Sequence, residues 1–197
     1  MATVVAEMTM SLDGFVTHPV DGVEHLFGWY EDGDVETRTP GAGGPDAFRT
    51  SAASAGYLRE MMASLGAIVS GRRLFDVAGG WGGSHPLGVP VVVVSHSVPD
   101  GWPRDGAPFT FVDDVATAVE QASAIADDGI VGVGGANVAQ QCLDLGLLDE
   151  VRVNLVPVML GEGVRFFEHF ARTPIFFETP RVIEGDGVTH LSYRYAR

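Results

Sequence analysis

Gly129-Ile-Val-Gly-Val-Gly-Gly-Ala-Asn137, running on into Leu148-Asp-Glu-Val-Arg-Val-Asn-Leu-Val-Pro-Val-Met-Leu-Gly161, reads as strand, glycine turn, helix, strand. Ile130, Val131 and Val133 suit a buried strand, while Val138, Cys142 and Leu145 recur at helical spacing. Glycine at 134 and 135 lets backbone N–H groups approach an anion closely, and a helix starting near Ala136 adds its positive end to the same spot. The stretch is therefore a candidate phosphate cradle for a nucleotide. Gly132 and Gly134 supply the Gly-x-Gly of a dinucleotide fingerprint, but position 137 is Asn and the motif lies deep in the chain. That combination points to an α/β fold other than the one that carries its glycine loop after the first strand.

Upstream, Thr3-Val-Val-Ala6 with Met8 and Met10 reads as a buried first strand that ends at the Asp13-Gly14 turn. From about 18 to 50 the chain turns to glycine, proline and acids, with Phe27, Trp29 and Tyr30 embedded. Such a stretch is too long for an ordinary connection and is expected to be a loop insertion that forms a lid or a partner contact. Ser51 to Leu65 is helical, with Ala55, Leu58, Met62 and Leu65 on one stripe. Gly66–Ser70 is a short strand that runs into Gly71-Arg-Arg-Leu-Phe75, a second glycine-started helix. Val89–Val94 and Pro108–Val112 are further strands, and Asp113-Asp114 caps a helix through Ile125. Ile175–Glu184 and Val188–Tyr195 form a hairpin about Gly185-Asp186-Gly187. This order predicts one α/β domain, residues 1–197, with a mostly parallel sheet and a C-terminal antiparallel hairpin at its edge.

Composition limits the function. The 197 residues carry a net charge of −14, which argues against nucleic acid or anionic membrane as a partner. The chain contains no lysine, which excludes Schiff-base chemistry, a phosphate-loop lysine and a tyrosine–lysine dehydrogenase pair. The lone Cys142 sits on an apolar helical stripe and reads as packing. No basic start leads into an apolar run, so a cytoplasmic protein is expected. His18, Asp21, Glu24 and His25 are close in sequence but match no standard zinc spacing, and no metal is expected.

Met10-Ser-Leu-Asp-Gly-Phe15, Gly71-Arg-Arg-Leu-Phe75 and Val133-Gly-Gly-Ala136, continuing to Pro157-Val-Met-Leu-Gly-Glu-Gly163, together resemble the dihydrofolate reductase-like superfamily. Within it they look most like the reductase domain of the riboflavin-biosynthesis deaminase/reductase. The resemblance implies a three-layer α/β/α fold, NADPH as cofactor, a small-molecule substrate and a homodimer. Residue by residue it implies Thr9, Val16 and Thr17 beside the nicotinamide and Gly71, Arg72 and Arg73 on phosphate. Ser95 and His96 would meet the adenosine 2′-phosphate, and Gly134, Gly135, Ala136, Asn137 and Val138 the pyrophosphate, with a cis Gly134–Gly135 peptide.

Two positions depart from the family pattern. Leu74 stands where a phosphate-binding threonine is common. Ala55 stands where dihydrofolate reductase proper has its pteridine-binding carboxylate, which counts against folate. Glu60, Asp32, Asp34 and Asp46 are the alternative acids, Trp81 a candidate pocket wall, and Arg38, Arg49 and Arg59 the cations available for a substrate phosphate. The function expected is NADPH-dependent reduction of a C=N or C=O bond in a heterocycle, like that of the riboflavin-pathway reductase. Dihydrofolate reductase activity and a non-catalytic nucleotide-binding or dimerisation module are the alternatives.

Overall fold

The structure, a computed structural model, describes residues 1–19 and 22–196. Strand β1 (Thr3–Ser11) passes through the Asp13-Gly14 turn into β2 (Phe15–Thr17). A 3-10 turn (Gly28–Tyr30), β3 (Val35–Arg38) and β4 (Ala47–Thr50) precede helix α1 (Ala52–Ser64). Then come β5 (Leu65–Gly71), α2 (Arg72–Val77), a 3-10 segment (Gly79–Gly83), β6 (Val91–Val94), β7 (Phe109–Val112) and α3 (Val115–Ala126). The chain continues through β8 (Ile130–Gly134), α4 (Ala136–Asp144), β9 (Glu150–Val156), β10 (Val164–Arg165), β11 (Arg181–Gly185) and β12 (Val188–Arg194).

Eight strands form one sheet in the order β11-β12-β9-β1-β8-β5-β6-β7. The run from β9 to β7 is parallel, and β12 and β11 add an antiparallel edge. Both faces of the parallel run are apolar, as a sheet covered on both sides requires. On one face Val69, Val92, Val131 and Val133 pack with Ala118 and Ala122 of α3 and Val138 and Cys142 of α4. On the other, Ile68, Val91 and Val93 meet Phe75 of α2, while Val156 and Val188 meet Tyr57 and Leu58 of α1. The three-layer α/β/α arrangement and its edge hairpin are as expected.

Local chemistry sets the boundaries. Ser51 caps α1 by accepting the Ser54 N–H, and Asp114 caps α3 by accepting the Thr117 N–H. Helix α1 stops at Ser64 because Leu65 turns extended and enters β5 without a loop, one residue earlier than the apolar stripe predicts. A side chain at Gly66 would meet the Ala126 Cα at 2.7 Å, so glycine lets β5 pass under the end of α3. The final hairpin turns at Asp186-Gly187, with Gly187 at φ 69°. Its first strand begins at Arg181 rather than Ile175. Pro174 and Pro180 have no N–H to donate, and before Arg181 the chain makes one isolated bridge, Phe177 to Tyr195.

The segment expected as a loop from 18 to 50 holds regular structure: β3 and β4 pair from Val35–Thr50 to Arg38–Ala47. Backbone contacts too close for a side chain position the hairpin. A Cβ on Gly33 would fall 2.0 Å from the Thr50 carbonyl carbon, and one on Gly41 2.0 Å from the His85 oxygen. Its aromatics close over α1: Trp29 stacks on Tyr30 at 3.9 Å and Tyr30 on Phe48 at 4.4 Å, with Leu26 and Trp29 buried. No helix among the described residues is long and apolar enough to cross a membrane.

Candidate functional site

The carboxyl ends of the parallel strands leave a crevice above β8. The β1–β8 ladder stops at Ala6–Val133, whereas the β1–β9 ladder runs on to Ser11–Val156. The backbone edge of β1 beyond Ala6 therefore faces the space where β8 has turned away at Gly134. Across that space β5 ends at Gly71. Open α/β sheets bind ligands at such a point, outside the carboxyl ends of the strands.

Two helices start at this crevice, α4 after Gly135 and α2 after Gly71, and glycine is what lets them meet. Gly135 holds φ 97° and ψ 126°, a conformation that strains any L side chain, and its N–H points to Met8 Sδ at 3.4 Å. A Cβ there would come within 3.8 Å of the Gly71 nitrogen. A Cβ on Gly71 would lie 3.1 Å from Val138 Cγ2, and one on Gly134 3.2 Å from Leu74 Cδ2. Leu74, in place of a hydroxyl residue, thus packs against the glycine turn. Gly135 supplies no side-chain cap to α4, so the first-turn N–H groups of this helix lack the side-chain acceptor that a capping residue would bring. The cis peptide bonds among the described residues are Trp102–Pro103 and Thr173–Pro174. The expectation of a cis Gly134–Gly135 bond is therefore corrected: positive φ at Gly135 makes the turn.

Arg72 crosses from α2 to the ends of β6 and β7. Its Nε lies 2.9 and 2.8 Å from the two Asp76 carboxylate oxygens, and its Nη1 donates to Ser95 Oγ at 3.1 Å and to the Ser97 carbonyl at 3.0 Å. Ser95 Oγ donates to that same carbonyl at 2.6 Å, and the Ser95 N–H to the Val112 carbonyl at 2.7 Å. Arg72, Ser95 and the exposed His96 thus share one corner, while Arg73 follows on the exposed side of α2. Asn137 is exposed, with its Oδ1 accepting from Gln141, and Val138 and Ala136 are buried beneath.

At the other end of the crevice, Thr9 is buried on the α1 face, so only its backbone is available. Val16 packs into the core, and Thr17 Oγ1 is buried with no hydrogen-bond partner. The Ser11-Leu-Asp-Gly14 motif is a clamp. The Asp13 carboxylate accepts from Ser11 Oγ at 2.6 Å, the Gly161 N–H at 2.7 Å and the Leu160 N–H at 3.1 Å. Above all the Ser11 hydroxyl, then these backbone donors, pull its pKa down to about 2. Arg165 donates to the Asp13 carbonyl and lies over the Phe15 ring at 4.4 Å.

The other candidates lie away from the crevice. Ala55 is fully buried on the inner face of α1. Glu60 pairs with Arg181 at 2.7 and 2.9 Å, near the start of β11. Asp32 and Asp34 line a shallow cleft with Glu31, Ser51 and Asp186, and Asp46 is exposed at the tip between β3 and β4. Trp81 packs edge-on to Phe75, stacks on Phe109 at 6.2 Å and meets His85 at 4.7 Å. Arg38 pairs with Glu36, and Arg49 and Arg59 are exposed. His25 lies on the surface 3.8 Å from Glu24, and Asp21 falls outside the described residues. Sequence reading missed Ser97, Met8 and the Asp13 clamp. Asp76 was readable as the i+4 partner of Arg72.

A family model described as the RibD C-terminal domain matches residues 2–172. The chain belongs to the RibD C-terminal domain family. Solved structures agree with the fold of this RibD C-terminal domain. A Shewanella sp. PV-4 protein assigned to riboflavin biosynthesis superposes with a TM-score of 0.73 at 20% identity, covering 100% of both chains. The deaminase/reductase of Thermotoga maritima gives 0.65 at 13% identity, over 99% of this chain and 57% of that one. The riboflavin biosynthesis reductase Rib7 of Saccharomyces cerevisiae gives 0.60 at 13% identity, over 99% and 90%. No curated protein matches this chain.

Proposed function

We propose that the chain is an NADPH-dependent reductase that transfers hydride to a C=N or C=O bond of a small heterocyclic substrate. The name of the Thermotoga maritima relative suggests the substrate class, 5-amino-6-(5-phosphoribosylamino)uracil. The observation that carries the reading is the meeting of Gly135 and Gly71 at two helix starts, with Arg72 turned toward Ser95 and Ser97.

The residues fit a nicotinamide nucleotide. The cradle at Gly135 would be narrowed by any Cβ, and Thr17 Oγ1 is a buried polar atom without a partner. In this reading the first-turn N–H groups of α4 hold the pyrophosphate, Arg72 and the serine corner a further phosphate, and the β1 edge with Thr17 the carboxamide. The nicotinamide supplies the hydride when bound, and the chain's part is to orient the two reactants and exclude water. Asp13, depressed to about 2, stays ionised at neutral pH and is a poor donor for the proton that completes the reduction.

Folate fits less well, because Ala55 offers a methyl group and Glu60 is paired elsewhere. A homodimer belongs to the same proposal. Exposed Phe176, beside the apolar groove that Phe167, Leu191 and Tyr193 help to line, offers a surface for it. Nicotinamide absorbance followed with the ribosylamino-pyrimidine and with dihydrofolate tests the reading. Turnover is expected with the pyrimidine and not with folate, whereas cofactor saturation without consumption by either would favour a binding module.

A further inference from the structure

The Arg72 corner contains a negative charge as well as a positive one. A guanidinium reserved for a phosphate keeps its donors free, but the Nε edge of Arg72 is occupied by both oxygens of Asp76, at 2.9 and 2.8 Å. Both side chains are partly exposed, 35% and 49%, so water screens the pair and its contribution to stability is small. Its position matters more. The Nη1 of Arg72 points to Ser95 and Ser97, so a phosphate held by Arg72 at that corner sits one guanidinium width from the Asp76 carboxylate. More negative charge follows β7, where Asp113 comes directly after Val112, whose carbonyl holds the Ser95 N–H. Asp114 comes next, tied to the first turn of α3. Arg73 offsets part of this on the exposed side of α2.

Resting on the reductase reading, we propose that Asp76 sets the nucleotide preference of this site, balancing Arg72 so that NADH binds nearly as well as NADPH. The two nucleotides differ at one ribose position, a 2′-phosphate in one and a 2′-hydroxyl in the other. An arginine favours the phosphate, whereas a carboxylate repels it and accepts a hydrogen bond from the hydroxyl. The chain places both groups on the same face of α2, one turn apart at i and i+4. Asp76 touches neither the nicotinamide nor the reacting bond, so its effect falls on which nucleotide binds.

Calorimetric titration of the full chain and of Asp76→Asn with NADPH and with NADH tests this, with thermal unfolding of both proteins as a check on folding. The wild type is expected to favour NADPH by less than about tenfold. Asp76→Asn is expected to tighten NADPH by about three- to tenfold at low salt, a gain that shrinks at high salt, while NADH is unchanged or weaker. If Asp76→Asn leaves NADPH affinity unchanged or lowers it, Asp76 only positions Arg72 and the proposal fails while the reductase reading stands. If the wild type binds neither nucleotide, both fail.

Discussion

Gly135→Val is expected to lower nucleotide affinity by about 100-fold or more while leaving the chain folded. Two effects combine at this position. A β-branched residue at φ 97° is strained by about 1–3 kcal/mol, which weakens the turn between β8 and α4. Its Cβ would also be directed to within 3.8 Å of the Gly71 nitrogen, so the two methyl groups of valine would fill the gap between the helix starts. Gly146→Ala separates these effects. Gly146 follows α4 at φ 70° with open space around it, so alanine there brings positive-φ backbone strain, smaller than that of a β-branched residue, without touching the crevice. Nucleotide titration alongside urea unfolding should find both variants destabilised and only Gly135→Val defective in binding. Equal affinity in the two variants would show that the crevice is not the nucleotide site.

His190→Ala is expected to cost about 3–5 kcal/mol of stability, a large share of what a domain of this size has. The imidazole is fully buried. Its Nδ1 lies 2.7 Å from Asn154 Oδ1 and its Nε2 2.9 Å from Ser54 Oγ. Asn154 Nδ2 donates to Glu7 Oε1 at 3.1 Å, which fixes the amide so that its oxygen faces the ring. Nδ1 therefore carries the proton and Nε2 accepts from the serine hydroxyl. Glu7 Oε1 also accepts from the Tyr57 hydroxyl at 2.7 Å, and the ring stacks on Tyr57 at 4.2 Å and meets Trp29 edge-on at 5.1 Å. Truncation to alanine removes both hydrogen bonds, strands Asn154 and Ser54, and leaves a cavity between aromatics.

Burial holds His190 neutral and pushes its pKa from 6.5 down to about 4. Between those values the unfolded chain takes up a proton that the folded chain refuses. The stabilising contribution is therefore complete above about pH 6.5 and is lost as pH falls toward 4. His85, also pushed down to about 4 by burial, adds to the same slope. Urea unfolding at about pH 7.5 and about pH 5 should show the wild type losing more stability than His190→Ala between the two, since the variant keeps only the His85 share. A variant within about 1 kcal/mol of wild type at both would contradict the network.

The parts of the fold that were legible in the sequence depend on short-range chemistry. Glycine before an apolar helix at Gly71 and Gly135, Asp114 as a cap, and Asp186-Gly187 between alternating strands all act within a few residues, and the structure has them where they were read. The β3–β4 hairpin was not legible. Its strands are four residues each, too short for a period-2 signal, and its placement depends on Gly33 and Gly41 meeting Thr50 and His85. The Glu7–Asn154–His190–Ser54 network was hidden for a related reason: its members come from β1, β9, β12 and α1, and no local pattern links them. The crevice follows the same division. Its glycines and Arg72 were readable, while the ends of the β8 and β9 ladders, which open it, are a property of register.

Calorimetric titration of the purified chain with NADPH, repeated with Arg72→Ala, tests the central claim most directly, because a nucleotide crevice must bind nucleotide whatever the substrate proves to be. The account predicts saturable binding of one NADPH per chain with a dissociation constant on the order of micromolar, weakened by about tenfold or more in Arg72→Ala. Absence of binding by either NADPH or NADH up to about millimolar concentration would contradict it.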